Sequence, residues 1–227
     1  MGSPAACLAE LNCVTRGPYR QVLPVASGSS VGIIGFSPSG RGLLSGSASE
    51  DAPFSGGDVR SMDPLYRGGK FRSALRVTDE LRSLADRIGA TPVQVAMRWA
   101  IELPGVKAVL TGTTSRQHLL ENLGSVQIPW DVQIQDHLDA FLDEEDARFQ
   151  AELPDELKAV LQDEGPVSAD TLWDVLYVME QAIECRWVGE EDILPFFTRL
   201  WAMRSAGVDE EEINGIRASL WDLLFQS

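Results

Sequence analysis

Apolar residues gather in three short runs in the first half of the chain, of which only 31–36 is continuous. Residues 5–12, 31–36 and 106–110 each follow a Pro, Ser or Gly and are too short for helices. Val31-Gly-Ile-Ile-Gly-Phe36 has the pattern of a strand buried on both faces of a parallel sheet, and residues 106–110 read the same way. Between the runs the period becomes helical. Leu81, Leu84, Ala85 and Ile88 predict a helix over residues 78–88, stopped at Gly89. Thr91 and Pro92 open the next helix as N-cap and first position, and Pro104-Gly105 ends it. Pro18 opens a helix to about residue 27, and a Gly-Thr-Thr-Ser turn precedes another over 113–122. Residues 5–124 therefore read β-α-β-α-α-β-α, the order of a parallel α/β fold. Residues 43–68, rich in Gly, Ser, Pro and Asp, read as a long loop.

After Trp130 no strand pattern occurs. Helices are predicted at 132–149, 155–163, 169–187, 192–205 and 209–225. Leu172, Leu176, Met179, Ile183 and Trp187 share one stripe, and Phe196, Phe197, Leu200, Trp201 and Met203 form a broad apolar arc. Both predict core packing in a small all-α bundle. The expected domains are residues 1–129 and 130–227.

Charge sharpens this division. Residues 1–127 hold 13 Lys and Arg against 10 Asp and Glu, whereas residues 128–227 hold 6 against 24. Such an acidic half repels phosphate backbones, so nucleic acid is not an expected partner. No apolar run reaches the roughly 18 residues of a membrane span, and the first residues lack a basic region followed by an apolar stretch. Cys7, Cys13 and Cys185 form no CxxC pair, which speaks against a disulfide framework or structural zinc. The expectation is a cytoplasmic protein with three packing thiols. Carboxylates in 143–146 and 209–212 lack the spacing of a calcium loop and read as solvated helix termini.

Two turns carry candidate chemistry. Ser37-Pro-Ser-Gly-Arg-Gly42 and Gly112-Thr-Thr-Ser115 each follow an apolar strand, and the second opens a helix, where backbone N–H groups attract anions. The residues around them resemble the aldo-keto reductase family. Phe36-Ser-Pro-Ser-Gly-Arg-Gly-Leu-Leu-Ser-Gly46 resembles its seventh-strand loop. Asp58-Val-Arg60 with Pro64 and Tyr66 is similar to its Asp-x-Arg…Pro-Phe stretch. Leu81 to Trp99, with Ala85, Gly89, Thr91, Gln94 and Ala96, resembles a helix pair of the family. Val109-Leu-Thr-Gly-Thr-Thr-Ser-Arg-Gln-His-Leu-Leu-Glu-Asn122 resembles the eighth-strand loop and helix, and residues 12–24 the segment after strand six.

The resemblance implies a partial (β/α)8-type barrel of about three parallel strands, followed by the all-α bundle. It implies NADP contacts: Ser37 and Pro38 near the pyrophosphate; Gly112, Thr113, Thr114 and Ser115 around the adenosine end; and Glu121 and Asn122 beside the adenine. Arg116 is a candidate partner for a 2′-phosphate, and His118 stands where the family more often has Gln or Arg. The family's Tyr, Lys, Asp and His tetrad has no match here, and Leu8 and Leu11 replace the Gln and aromatic residue that hold nicotinamide. The implied cofactor is thus NADP gripped by its adenosine end only.

Three strands do not close an eight-stranded barrel. The acidic helices in cis, a second copy or protein partner in trans, or the remainder of a longer reading frame each satisfy the open sheet. The functional readings are a non-catalytic NADP-binding or scaffold protein, an NADP-dependent carbonyl oxidoreductase completed by another chain or copy, and an acidic protein-interaction or inhibitor module.

Overall fold

The structure, a computed structural model, describes residues 4–47 and 59–226. Asp58 and Met1 to Ser3 lie outside the described residues, as does the 48–58 part of the expected loop. Three strands, β1 (Ala6–Glu10), β2 (Gly32–Phe36) and β3 (Val106–Leu110), form one parallel sheet in that order. Eight α-helices accompany them: α1 (Gly17–Ser27), α2 (Gly68–Ile88), α3 (Pro92–Glu102), α4 (Arg116–Leu123), α5 (Val132–Leu161), α6 (Ala169–Glu184), α7 (Glu190–Ala206) and α8 (Glu210–Phe225). The chain divides into two compact units. One is residues 1–53 with 72–146, and the other is 54–71 with 147–227.

In the first unit, β2 pairs with both neighbours: Leu8 stands opposite Ile34, and Ile34 opposite Ala108. Helices α1 and α3 pack against the strands. The α2 stripe Ala74, Val77, Leu81, Leu84 and Ala85 is buried, as are Val95, Ala96, Trp99 and Ala100 of α3. Gly35 is required by a close approach: a Cβ there would stand 3.1 Å from the Leu11 side chain and 3.4 Å from Val109. Thr91 is the N-cap of α3, as its sequence predicts, and Gln94 completes a capping box with it.

Several expectations are corrected. Strand β3 is not buried. All five of its residues are at least partly exposed, and a register shift opposite Ile33 and Ile34 displaces Lys107 from the ladder. Strand β1 is buried on one side only, with Leu8 62% exposed. Helix α2 starts ten residues before the predicted 78, because Lys70, Ser73, Ala74 and Val77 are buried despite a loop-like Gly-Gly start. The two helices predicted over 132–163 are the single helix α5, which runs through Pro154. Carboxylates 143–146 are therefore mid-helix, and Glu145 is buried against Arg76 rather than solvated.

The second unit is helical. Phe149, Leu153 and Leu157 of α5 join Leu172, Val175 and Val178 of α6, Ile193 and Leu200 of α7, and Ile213 and Leu220 of α8 in one core. Of the stripe predicted on α6, Leu172 and Met179 are in the core and Ile183 packs against it, whereas Trp187 lies beyond the end of the helix and is exposed. Two of the five residues of the apolar arc on α7 are also outside the core: Phe197 and Trp201 are exposed. Among the described residues no helix is long and apolar enough to cross a membrane.

Candidate functional site

A cleft of about 630 Å³ opens in the first unit where the turns after β2 and β3 meet the start of α3. Ser39, Arg41, Gly42, Ser45 and Ser47 line it from the β2 side, and Thr91 and Val93 from α3. Thr111, Gly112, Thr113, His118, Glu121 and Asn122 complete it from the β3 turn and α4. This volume lies in the range of small-molecule sites.

Local sequence sets each wall. After β2 the chain reverses through a tight turn in which the Gly40 N–H donates to the Ser37 carbonyl at 2.9 Å. Ser37 and Arg41 both have φ of 56°, and they are two of the three non-glycine residues with positive φ among the described residues. Such conformations cost on the order of 1 kcal/mol and persist where the surroundings fix them. Here Leu43 and Leu44, fully buried, anchor the turn, and the Leu44 N–H donates to the Ser39 carbonyl. The Arg41 guanidinium lies 3.1 Å from Glu10, which holds it beside the cleft at the end of β1.

The opposite wall is a helix start. The Ser115 hydroxyl caps α4 by accepting from the His118 N–H at 3.3 Å, and the Ser115 N–H donates to Thr113 Oγ1 at 3.1 Å. The Asn122 amide donates to Thr111 Oγ1 at 2.9 Å, tying the far end of α4 back to the strand. Gln94 donates to the Glu121 carbonyl at 2.9 Å and joins α3 to α4. The lining thus includes the hydroxyl residues Ser39, Ser45, Ser47, Thr91, Thr111 and Thr113, the amide of Asn122, one guanidinium, His118 and the carboxylate of Glu121. Hydroxyls, an amide and a guanidinium are groups that can donate hydrogen bonds to the oxygens of a polar ligand.

The candidate residues divide. Gly112, Thr113, His118, Glu121 and Asn122 line the cleft. Ser37 is half-buried and Pro38 buried in the turn that carries Ser39 and Arg41, and neither lines the cleft. Thr114 and Arg116 are exposed outside the lining, and Ser115 serves as the cap. The helix begins at Arg116, three residues later than its pattern predicts, because Ser115 supplies the capping oxygen. Ser39, Arg41, Gly42, Ser45, Ser47 and Thr111 were not named as site residues from sequence, and Thr91 was read only as the cap of its helix and as part of the family resemblance. The signal of the first six was position within or beside the same two turns. No group of His, Cys, Asp and Glu among the described residues is arranged to hold a metal ion.

A family model described as "Aldo/keto reductase family" matches residues 3–143. The chain belongs to the aldo/keto reductase family. It is 32% identical over 111 residues to aldo-keto reductase str7 of Strobilurus tenacellus, a match covering 49% of this chain and 33% of that protein. It is 31% identical over 102 residues to aldo-keto reductase YhdN of Bacillus subtilis, covering 44% and 31%. It is also 30% identical over 112 residues to a probable voltage-gated potassium channel subunit beta of Arabidopsis thaliana, covering 48% and 34%. The chain thus spans about a third of the length of these curated relatives. Its fold is like that of glycerol dehydrogenase from Gluconobacter oxydans, with a TM-score of 0.54 and 24% identity over 74% of this chain and 46% of that one. The matched segment of this family member contains all the residues of the cleft.

Proposed function

We propose that this chain is an aldo-keto reductase-derived protein that binds NADP by its adenosine end and does not itself carry out carbonyl reduction. Its three strands stand for strands six to eight of the (β/α)8-type barrel. The reductase-derived part is the matched segment, which passes the expected boundary at residue 129 and ends within α5, and the helices after it are an acidic addition. The observation that carries the reading is the cleft. Thr111, Thr113 and the capped start of α4 face Ser39, Arg41 and Ser45 across a space of ligand size. Gly112, Thr113 and the α4 start receive phosphate oxygens, Arg41 supplies positive charge, and Asn122 and Glu121 meet the adenine. Ser37, Pro38, Thr114 and Ser115 act by shaping the two turns, and Arg116 extends from the rim toward a 2′-phosphate.

Two positions support restriction to the adenosine end. Leu11 is fully buried over Gly35, and Leu8 offers no hydrogen bond to a carboxamide. Isothermal titration of the full chain tests the reading. NADPH and adenosine 2′,5′-bisphosphate are expected to bind with similar affinity, and nicotinamide mononucleotide not at all. Arg41→Ala and Asn122→Ala should each weaken binding about tenfold, which is about 1.4 kcal/mol. NADPH binding far tighter than the bisphosphate, or steady NADPH oxidation with a carbonyl substrate, sinks the proposal.

A second reading is favoured by a specific observation. One face of the sheet carries exposed Leu8, Phe36 and Leu110, and parallel sheets are ordinarily covered on both faces. Under that reading another chain or a second copy completes an NADP-dependent carbonyl oxidoreductase. Co-expression with a polypeptide bearing the family's Tyr, Lys, Asp and His then yields a stable complex with reductase activity. Absence of any complex rejects it.

A further inference from the structure

Helix α7 buries one side and leaves an aromatic face outside. Ile193, Leu200 and Met203 enter the core of the second unit. Leu194, Phe197 and Trp201, on another side of the helix, are 61%, 37% and 46% exposed. The Phe197 and Trp201 rings stack at 5.6 Å with an interplanar angle of 16° and so present a fixed surface. Aromatic anchors of this kind lose little rotamer freedom on contact.

The order of residues along this face selects what covers it. Glu190, Phe197 and Arg204 recur every seven residues, and Leu194 and Trp201 interleave with them, a heptad spacing that puts all five on one stripe. Phe197 stands at the centre. Leu194 and Trp201 lie about one turn to either side of it, and Glu190 and Arg204 about two turns. The two end charges are opposite in sign, and both are exposed. Neither has an ion-pair partner among the described residues, and Arg204 lies over the Trp201 ring, 4.8 Å from its centre. The other guanidinium of the helix, Arg199, lies off the stripe and is paired with Glu212.

A face with this order is complementary to itself when turned end for end. About a two-fold axis at Phe197, antiparallel α7 helices set Leu194 of each copy against Trp201 of the other. The same axis sets Glu190 of each copy against Arg204 of the other. A helix with cations at both ends leaves Arg204 facing like charge, and one with anions at both ends does the same to Glu190. We propose that the exposed stripe of α7 is an interface on which a second copy of this chain docks antiparallel. Leu194, Phe197 and Trp201 of the two copies form its apolar centre, and a Glu190–Arg204 ion pair closes each end. One helix face per copy is at the small end of specific interfaces, so a dimer of micromolar affinity is expected. The inference is independent of the nucleotide cleft, which lies in the other unit.

Sedimentation of the full chain, from micromolar to sub-millimolar concentration, is expected to show a monomer–dimer equilibrium. Trp201→Ala and Leu194→Ser, both at exposed positions, should each weaken dimerisation about tenfold with unchanged circular dichroism. Glu190→Arg alone and Arg204→Glu alone should each weaken it severalfold, because each sets like charges against each other across the axis. Mixing these two variants restores association as a heterodimer, and so does combining both changes in one chain. Such rescue requires that the two positions meet. A chain that stays monomeric throughout the range overturns the proposal. So does a dimer that the apolar substitutions leave intact, or a mixture of the charge variants that associates no better than either alone. A dimer dissociated instead by Leu8→Glu with Leu110→Glu assigns association to the sheet face and overturns it as well.

Discussion

Single residues already show how context decides chemistry. Asn12, fully buried, accepts from the Val14 and Thr15 N–H groups at 2.9 and 2.8 Å and so turns the chain out of β1. Trp99, buried on α3, donates to Asp139 at 2.7 Å, which gives its indole N–H a partner inside the core. Arg16 is nearly buried and meets Asp143 and Asp146, so an acidic stretch that reads as solvated has fixed partners. Burial pushes the Cys13 thiol up from its ordinary value, with nearby Asp139 adding and Arg16 opposing. The sign of the consequence follows. Above the ordinary thiol range the unfolded chain loses this proton and the folded chain keeps it, so stability falls as pH rises, by up to about 1.4 kcal/mol per pH unit. Urea unfolding between neutral pH and pH 10 should show this slope reduced in Cys13→Ala. Iodoacetamide should label Cys7 and Cys185 in the native protein, but Cys13 only after denaturation.

At the scale of elements, patterns with strong punctuation were legible and those without were not. The α3 start was readable because Thr91 accepts a free N–H of the first turn and Pro92 has no N–H there to satisfy. The α2 start was not, because Gly68-Gly69 reads as loop. Its reason is tertiary. Gly68 has φ of 51°, and a Cβ there would stand 3.0 Å from the Tyr177 ring and closer still to Glu156. The Gly69 N–H donates to Glu156 at 2.6 Å. Gly68→Ala is expected to lower stability by about 1–3 kcal/mol, from left-handed strain and overpacking together. A drop in urea midpoint with an unchanged slope checks it. No loss at all shows that Glu156 swings away freely. Apolar periodicity likewise marked α7 as a helix but not which of its stripes is buried, since Phe197 and Trp201 read as core residues in sequence and are exposed.

The whole molecule poses the question of what lies over the sheet. Leu8, Phe36 and Leu110 occupy one face, and the outer edges of β1 and β3 have no strand beside them among the described residues. Helix α4 adds exposed Leu119, Leu120 and Leu123. An apolar surface of this kind favours a partner. The chain alone should bind the dye ANS, and a Leu8→Glu and Leu110→Glu double variant should bind severalfold less at equal thermal stability. Dye binding unchanged by the two substitutions places the reactive surface elsewhere. The same variant separates the readings of function: adenosine 2′,5′-bisphosphate binding survives it, whereas assembly with a completing polypeptide does not.

By itself the sequence determined the three parallel strands, most of the helices, the turns that follow β2 and β3 and the family, because each rests on local period, caps and ordered motifs. It located Gly112, Thr113, His118, Glu121 and Asn122 in a turn and helix that do line the cleft. Only the tertiary structure decided that Arg41, Ser39 and Ser45 face them, since the two turns are some 70 residues apart and meet only through the pairing of β2 with β3. It also decided that β3 is an exposed edge and that α7 leaves its aromatic stripe in solvent. Apolar composition states that a residue gains by burial, but what stands opposite it is set by packing between distant parts of the chain.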